Sequence, residues 1–331
     1  MNAQTFNQSN PPSEELKTII DNSSNILVVS HIDPDGDALG TQLAFAQYLK
    51  DIHKKVTLVR QSDIPEKYHF LPGVLDIPHF DSMTHIGAFD AIIVLECPDF
   101  KRIGLASAWI TEETTIVNID HHRDNKLNGS LNWLNIKASS VGEMVFEFFE
   151  DINYKVSAET ATCLFTAILT DTGRFRYNST SQRTLEIAGK LVGAGVVPQK
   201  VCDEVYYNMK SSTVKLIGKV LNEMEFYHDG KLCMLTLTKD MLAVSDADSS
   251  ESDGLIDYTL YNNGVEVGVL VKEFTETTTK VSMRSKDSIN VSEVANTFGG
   301  GGHFNASGCL IDKTLKDTKK LLIEIYKEIL N

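Results

Sequence analysis

An apolar run that ends in four side chains able to bind a metal constrains this chain more than any other stretch. Residues 26–30 predict a buried strand, and the residues that follow it are His31, Asp33, Asp35 and Asp37. Carboxylates crowded in this way repel one another unless protons or cations lie between them. In an open α/β sheet, the carboxyl ends of the strands also form the edge where ligands bind. The segment therefore indicates one half of a metal site.

Three further apolar segments end in carboxylates or imidazoles, and they lead to Glu96, to Asp120, His121 and His122, and to Asp171. Short apolar strands that alternate with helices predict a doubly wound, mostly parallel α/β sheet, which brings such ends to one edge. Each motif alone is as typical of a turn, a helix cap or a solvated strand end as of a ligand. Their joint occurrence favours a metal site.

The length of 331 residues predicts two domains rather than one. We expect the α/β domain over residues 1–180, a helical linker over 181–225 and a smaller α+β domain over 226–331, where long β segments precede helices. Residues 1–12 are expected to be frayed. The acidic run at 246–253 is expected to be a solvated loop.

An EF-hand calcium loop is the specific competitor at the first motif, because Asp33, Asp35 and Asp37 match its first three acidic positions. The pattern then fails, since Ala38 stands where the loop requires Gly and Ala44 where it requires a bidentate Glu.

Imidazoles mixed with carboxylates suit manganese, iron or zinc better than magnesium alone. So many anionic ligands would overcharge a single ion, which favours two divalent metal ions. Two ions about 3.5–4 Å apart clamp the attacking and leaving oxygens of a phosphoryl displacement.

Composition and net charge limit the classes of molecule that this protein could bind. A formal net charge of −14 argues against a long, sequence-independent grip on duplex nucleic acid, but not against a short phosphorylated substrate. The five cysteines are scattered and form no C-x-x-C pair, which predicts reduced thiols. We find neither the apolar core of a signal peptide near the N-terminus nor an apolar run of membrane-spanning length, so we expect a cytoplasmic protein.

Five motifs in order resemble those of the DHH phosphoesterase family: the segment from His31 to Asp37, Glu96, Asp120-His121-His122, Thr170-Asp-Thr172, and the glycine-rich segment 299–308. The last resembles the signature of the DHH-associated C-terminal domain. Length and domain pair are most similar to the nanoRNase A-type members. The resemblance covers nearly the whole chain.

The resemblance implies six metal ligands, which are His31 and Asp35 for one manganese ion, Asp37, His121 and Asp171 for the other, and Glu96 for both. It also implies that Asp120 orients an imidazole and that His122 contacts the substrate phosphate. The family usually has Asp where this chain has Glu96. A glutamate could bridge both ions or bind only one, and Asp99 stays open as a weaker substitute.

Substrate contacts are expected from Arg284, Gly301, Gly302 and His303, because the family's C-terminal domain faces the metal cleft and binds the nucleotide. Glycine backbone can approach an anion or a base closely, and arginine grips phosphate in a bidentate manner. Arg102 follows the predicted strand that ends at Glu96 closely enough to reach the ligand-binding edge of the sheet, although a surface arginine is an equal interpretation. Lys272 and Lys286 are weaker candidates.

The resemblance implies a manganese-dependent enzyme that hydrolyses very short single-stranded RNA to nucleoside 5′-monophosphates, and that often removes the 3′-phosphate of adenosine 3′,5′-bisphosphate. A cyclic-dinucleotide phosphodiesterase and a nucleotide-binding sensor without activity remain alternatives. A homodimer stays open.

Overall fold

The computed structural model describes residues 4–7, 11–83, 88–252, 254–286 and 288–330. The chain divides into two compact units, Met1–Asn208 and Met209–Asn331, and the boundary falls inside the predicted linker. Across these ranges no helix is both long enough and apolar enough to cross a membrane.

The first unit is built on a sheet of six parallel strands, which are β1 (Gln4–Asn7), β2 (Asn25–Val29), β3 (Lys55–Leu58), β4 (Ala91–Leu95), β5 (Thr115–Asp120) and β6 (Leu131–Leu134). Their order across the sheet is β1-β6-β5-β4-β2-β3. β3 lies on one side of β2, and β4, the next strand in the chain, lies on the other side of β2. The direction in which strands are added to the sheet therefore reverses at β2. A crevice at such a reversal is the usual ligand site of an open α/β sheet, so the predicted fold class is confirmed.

The helices described in this unit are α1 (Ser13–Asn22), α2 (Gly36–Asp51), α3 (Val141–Asp151), α4 (Ala158–Asp171), α5 (Gln182–Gly193) and α6 (Pro198–Tyr206). The core strands β2 and β4 are buried on both faces, which explains their uninterrupted apolar sequences. 3-10 helices occur at Glu66–Tyr68, Val74–Asp76, Phe80–Ser82 and Phe100–Trp109, and the last is interrupted at Gly104, whose φ is +57°.

The N-terminal segment differs from expectation. The prediction of a frayed stretch over residues 1–12 is wrong for Gln4–Asn7, because this segment pairs with the edge of β6 and so satisfies its backbone hydrogen bonds. In the helical stretch 181–225, Ile187 and Val201 pack in the core of the first unit, and Leu216 packs in a core of the second.

The second unit contains a mixed sheet, formed by β7 (Glu225–Tyr227), β8 (Leu232–Leu237), β9 (Val267–Glu273), β10 (Thr279–Ser285), β11 (Gly301–His303) and β12 (Ala306–Ile311) in the order β11-β12-β10-β9-β8-β7. Only β8 and β9 pair in parallel among the strands described there. Its helices are α7 (Ser211–Asn222), α8 (Lys239–Ser245), α9 (Val291–Thr297) and α10 (Leu315–Ile329), with 3-10 helices at Ser249–Ser252 and Leu255–Tyr261.

The acidic run at 246–253 is not a plain solvated loop, and its residue 253 lies outside the described ranges. Glu251 accepts hydrogen bonds from the hydroxyls of Ser212 and Thr213, and Lys272 donates to the carbonyl of Ser249. These contacts tie the segment to α7 and β9, which sequence periodicity does not report.

Candidate metal centre

His31 and Glu96 lie on opposite sides of the crevice at the reversal of strand order. His31 follows β2 and Glu96 follows β4, and these strands are direct neighbours in the sheet. The imidazole Nε2 of His31 lies 2.6 Å from Oε2 of Glu96, and both side chains are buried. The sheet therefore brings together two residues that are 65 positions apart in the printed sequence.

Glu96 adopts a conformation that non-glycine residues rarely take. Its φ is +54°, and its backbone N–H continues the β4–β5 ladder by donating to the carbonyl of Ile119 at 3.0 Å. Its Oε2 is buried and, among the described residues, accepts no hydrogen bond. A buried carboxylate in a strained backbone, without a donor, is the kind of group that a cation would satisfy.

Two imidazoles are fixed so that Nε2 points into the site. The Nδ1 of His31 donates to the carbonyl of Ile32 at 2.7 Å, and the Nδ1 of His121 donates to the carbonyl of Ala138 at 3.2 Å. Since a carbonyl only accepts, each Nδ1 must carry the proton, which leaves Nε2 for a metal. Backbone hydrogen bonds of this type are usual at metal-binding histidines.

Asp37 lies at the start of two helices. It is in the first turn of α2, and its carboxylate accepts the backbone N–H groups of Val141 at 2.7 Å and Gly142 at 2.9 Å, where α3 begins. Thr41 adds a hydroxyl donor to Oδ1. Helix N-termini favour negative charge, so this fully buried carboxylate is partly compensated and Oδ2 keeps a lone pair for an ion.

Asp171 reaches the same region from the last turn of α4. Its Oδ2 lies 3.4 Å from Nε2 of His121. The approach of α4 to α2 depends on two glycines, because a Cβ at Gly36 would lie 2.6 Å from Cγ2 of Thr170 and one at Gly40 would overlap the carbonyl oxygen of Cys163. Sequence analysis missed these glycines, although their spacing of four places both on one face of α2.

The ligand atoms form two groups that share one carboxylate. His31, Asp35 and Glu96 each offer an atom within 4.8 Å of the others, and so do Asp37, Glu96 and His121. Asp35 caps α2 by accepting from the N–H of Ala38, and it is the exposed member of the first group. The donor set of imidazole and carboxylate fits divalent transition metals.

Burial makes these groups reluctant to carry charge without a cation. It raises the pKa of Glu96 well above 4.5, and the nearby Asp35 and Asp37 raise that pKa further. It likewise raises the pKa of Asp171 well above 3.8, together with the charge of Asp37. Burial lowers the pKa of His31. Bound divalent cations would offset the free-energy cost of ionising the buried carboxyl groups.

Asp120 and His122 form a separate hydrogen-bonded pair beside the two groups. The Nδ1 of His122 lies 2.8 Å from Oδ1 of Asp120, and its Nε2 lies 3.9 Å from Oε1 of Glu96. Burial opposes ionisation of Asp120, but hydrogen bonds from His122 and the charges of both imidazoles outweigh it and lower the pKa of this carboxyl. His122 thus differs from His31 and His121 in having an anionic partner at Nδ1.

Arg102 lies at the rim of this site. Its carbonyl accepts the N–H of Ile32 at 2.8 Å, so it is tied to the residue that follows His31. Its side chain is exposed, and its charge contributes to the lowered pKa of His31.

Asp99, the weaker substitute ligand, is engaged elsewhere. It caps the 3-10 helix by accepting from the N–H of Lys101 and forms a 2.5 Å ion pair with Lys126. Asp99 is therefore a weaker candidate ligand than Glu96, and the sharing of Glu96 by two ions stays a prediction.

The second unit brings Arg284 and His303 into one row of its sheet. Ala306 of β12 is the direct partner of Arg284 on β10 and of His303 on β11, so the three side chains share one face. Arg284 Nε lies 3.7 Å from Oδ1 of Asp257 and makes no hydrogen bond to any described residue. Lys286 donates instead to a backbone carbonyl.

The four consecutive glycines of the second unit are not equivalent. Gly299 has a φ of +72°, and Gly302 has a φ of +139° with a Cβ position 2.5 Å from the carbonyl oxygen of Ala306. A Cβ at Gly300 would lie 2.5 Å from Cβ of Cys309. At Gly301 the nearest atom would be 3.7 Å away, so the local structure alone does not require glycine there.

Comparison with known proteins identifies the families of both units. Residues 25–168 match the model of the DHH family, N-terminal domain, and residues 233–331 match the DHHA1 domain. The chain is 31% identical to the bifunctional oligoribonuclease and PAP phosphatase NrnA of Thermus thermophilus, over 86% of this chain and 84% of that protein. It is 27% identical to the Bacillus subtilis protein of the same name, over 94% of this chain and 98% of that one.

A solved structure has the same fold. The exopolyphosphatase-related protein from Bacteroides fragilis superposes with a TM-score of 0.90 at 29% identity, and the match covers 96% of this chain and 97% of that one. Sequence motifs, sheet topology and the identity to the Thermus protein all lead to one assignment. The chain belongs to the DHH family of phosphoester-hydrolysing enzymes.

Proposed function

We propose that this enzyme hydrolyses very short oligoribonucleotides to nucleoside 5′-monophosphates with two manganese ions, and that it also converts adenosine 3′,5′-bisphosphate to AMP. The observation that carries the proposal is the sharing of Glu96 by two ligand groups, one with His31 and Asp35 and the other with Asp37 and His121. Asp171 joins the second group through its contact with His121. The names of the relatives support the substrate class.

When bound, manganese ions would supply positive charge at the phosphate and would lower the pKa of a water nucleophile. The side chains of the site do the rest. Buried ligands exclude bulk water, and the backbone hydrogen bonds of His31 and His121 keep their Nε2 atoms oriented. His122 is our proposed contact to a phosphate oxygen: its Nδ1 is held by the carboxylate of Asp120, and its Nε2 faces the side of the site where Glu96 lies.

Arg102, Arg284, Gly301, Gly302 and His303 are our proposed contacts to the nucleotide. Arg284 shares one face of its sheet with His303, and Arg102 is exposed beside the loop of His31. A mono- or dinucleotide needs only a few phosphate contacts, so an acidic protein can bind it without a broad basic surface. A cytoplasmic location is part of this proposal.

Incubation of the purified protein with Mn²⁺ and four substrates tests the proposal. The panel consists of a linear diribonucleotide, a cyclic dinucleotide, adenosine 3′,5′-bisphosphate and pyrophosphate. We expect turnover of the linear dinucleotide and the bisphosphate. A strong preference for the cyclic dinucleotide would instead identify a cyclic-dinucleotide phosphodiesterase, and binding without turnover would identify a sensor.

A further inference from the structure

Asn118 is a buried amide in the middle of an apolar strand. It lies on β5 between Val117 and Ile119 and is 2% exposed. A buried amide is costly unless it is hydrogen-bonded. Its Nδ2 donates to the carbonyl of Cys97 at 3.1 Å, and its Oδ1 accepts from Nδ2 of Asn125 at 2.7 Å.

Asn125 uses its side-chain amide to join β5 to the loop after it. Besides Asn118, its Nδ2 donates to Oδ2 of Asp120. Its Oδ1 accepts from the backbone N–H of Leu127 at 2.7 Å. Both N–H bonds and the carbonyl of this amide are therefore engaged, which fixes its orientation.

These bonds form one continuous path between two parts of the active site. The path starts at the carbonyl of Cys97, the residue after Glu96, and passes through Asn118, Asn125 and Asp120 to Nδ1 of His122. Across the site itself, Nε2 of His122 lies 3.9 Å from Oε1 of Glu96. The path thus closes a ring that sets how far His122 stands from the shared carboxylate.

We propose that Asn118 and Asn125 are positioning residues, which hold His122 at a set distance from Glu96 by fixing the carboxylate of Asp120. The inference rests on the proposed contact of His122 with the substrate phosphate. Neither asparagine belongs to the predicted metal-ligand set, and among the described residues the side chain of Asn125 bonds only to Asn118, Asp120 and Leu127, so we expect its loss to impair the chemical step more than metal binding. Loss of groups that orient the side chains of a metal site costs about 10–100-fold in metal affinity or activity.

A third buried amide provides the matched control. Asn132 on β6 is 1% exposed, like Asn118, but its side chain pairs with the backbone of Gly129 in both directions. Asn132 is the register partner of Asn118 across β5 and β6, but it makes none of the hydrogen bonds of the path, so Asn132→Ala removes a neighbouring buried amide and leaves those bonds in place.

The experiment compares Asn125→Ala and Asn132→Ala with the wild type in three measurements. These are manganese affinity by titration calorimetry, kcat and KM on the best substrate of the panel, and the Nδ1–H proton resonance of His122, assigned by its loss in His122→Gln. Only the kinetics need a substrate, so the resonance and the metal affinity still test the positioning role if the proposed substrates fail.

We expect Asn125→Ala to bind manganese within about threefold of the wild type, to lose or shift the His122 resonance, and to lower kcat by about 10–100-fold with little change in KM. An unchanged resonance, a kcat within twofold of the wild type, or a loss equal to that of Asn132→Ala overturns the proposal. Asn125→Asp, which keeps the shape and loses the N–H donors, replaces the alanine variant if that variant does not fold. Failure of both to fold also overturns the proposal, because the amide then serves the fold alone.

Discussion

Asp37, in the first turn of α2, accepts a hydrogen bond from the backbone N–H of Val141, in the first turn of α3, at 2.7 Å. The two residues are 104 positions apart. This bond places the carboxylate where α4 also ends, and it explains how a fully buried acid is accommodated before any metal binds. The site is thus built from helix ends as much as from strand ends.

The shared carboxylate should control how many metal ions bind. We expect Glu96→Gln to reduce bound manganese from two ions to one or none, and to lower activity by more than about 100-fold, because no other described side chain joins both groups. Metal content after gel filtration measures the first effect. Asp99→Asn is the matched control, since Asp99 is paired with Lys126, and it should keep both ions. Loss of metal in the control would transfer the role to Asp99.

The same substitution should have opposite effects on stability with and without metal. Because burial raises the pKa of Glu96 well above 4.5, the folded metal-free protein holds a proton that the unfolded chain releases. Its stability should therefore fall as pH rises from 4.5 through the folded pKa. Glu96→Gln removes this cost, so metal-free Glu96→Gln should melt at a higher temperature than the wild type at pH 8, and at a lower temperature once manganese is added. If the melting temperatures of the metal-free wild type and Glu96→Gln differed by the same amount at pH 5 and at pH 8, the raised pKa of Glu96 would be contradicted.

Replacement of Gly301 should weaken substrate binding, whereas replacement of Gly300 should lower stability. A Cβ fits at Gly301, so Gly301→Ala should keep the melting temperature and the metal content but raise KM by about tenfold, roughly 1.4 kcal/mol of binding. Gly300→Ala should lower the melting temperature, because its Cβ would collide with Cys309. Kinetics and thermal melts of both variants separate the two roles. An unchanged KM in Gly301→Ala would remove that residue from the nucleotide site.

The close approach of α2 to α4 should be needed for the second metal ion. Gly40→Ala would push α2 away from Cys163, which we expect to cost about 1–3 kcal/mol of stability and to weaken manganese binding by displacing Asp171 from Asp37. Gly189→Ala on α5 is the control, since no atom lies within 4 Å of its Cβ position, and it should gain about 0.5–1 kcal/mol. Chemical unfolding and calorimetry measure both. Wild-type metal affinity in Gly40→Ala would show that this packing does not set the ligand positions.

The features that could be predicted are those that a short stretch of sequence determines by itself. An apolar strand followed at once by His31, and another followed by Glu96, are local signals, and sheet topology then brings them together without further information. β1 was missed because Gln4–Asn7 becomes a strand only by pairing with the edge of β6. β12 was not predicted because its alanine and glycine obscure the alternation of apolar and polar residues that is typical of a strand.

Contacts between distant polar residues could not be predicted in the same way. The residues around Asn125 do not indicate that its side-chain amide donates to both Asn118 and Asp120, because these hydrogen bonds depend on the path of the loop after β5. The unequal roles of Gly299 to Gly302 also depend on the strand packed against them. Residue types indicated the chemistry, and the fold assigned each residue its place.

Diffraction from manganese-soaked crystals, collected at the manganese absorption edge, tests the central claim most directly. Our account predicts two anomalous peaks about 3.5–4 Å apart. One should lie beside His31 and Asp35, the other beside Asp37, His121 and Asp171, and Glu96 should contact both. A single peak, or two peaks that do not share Glu96, would contradict it.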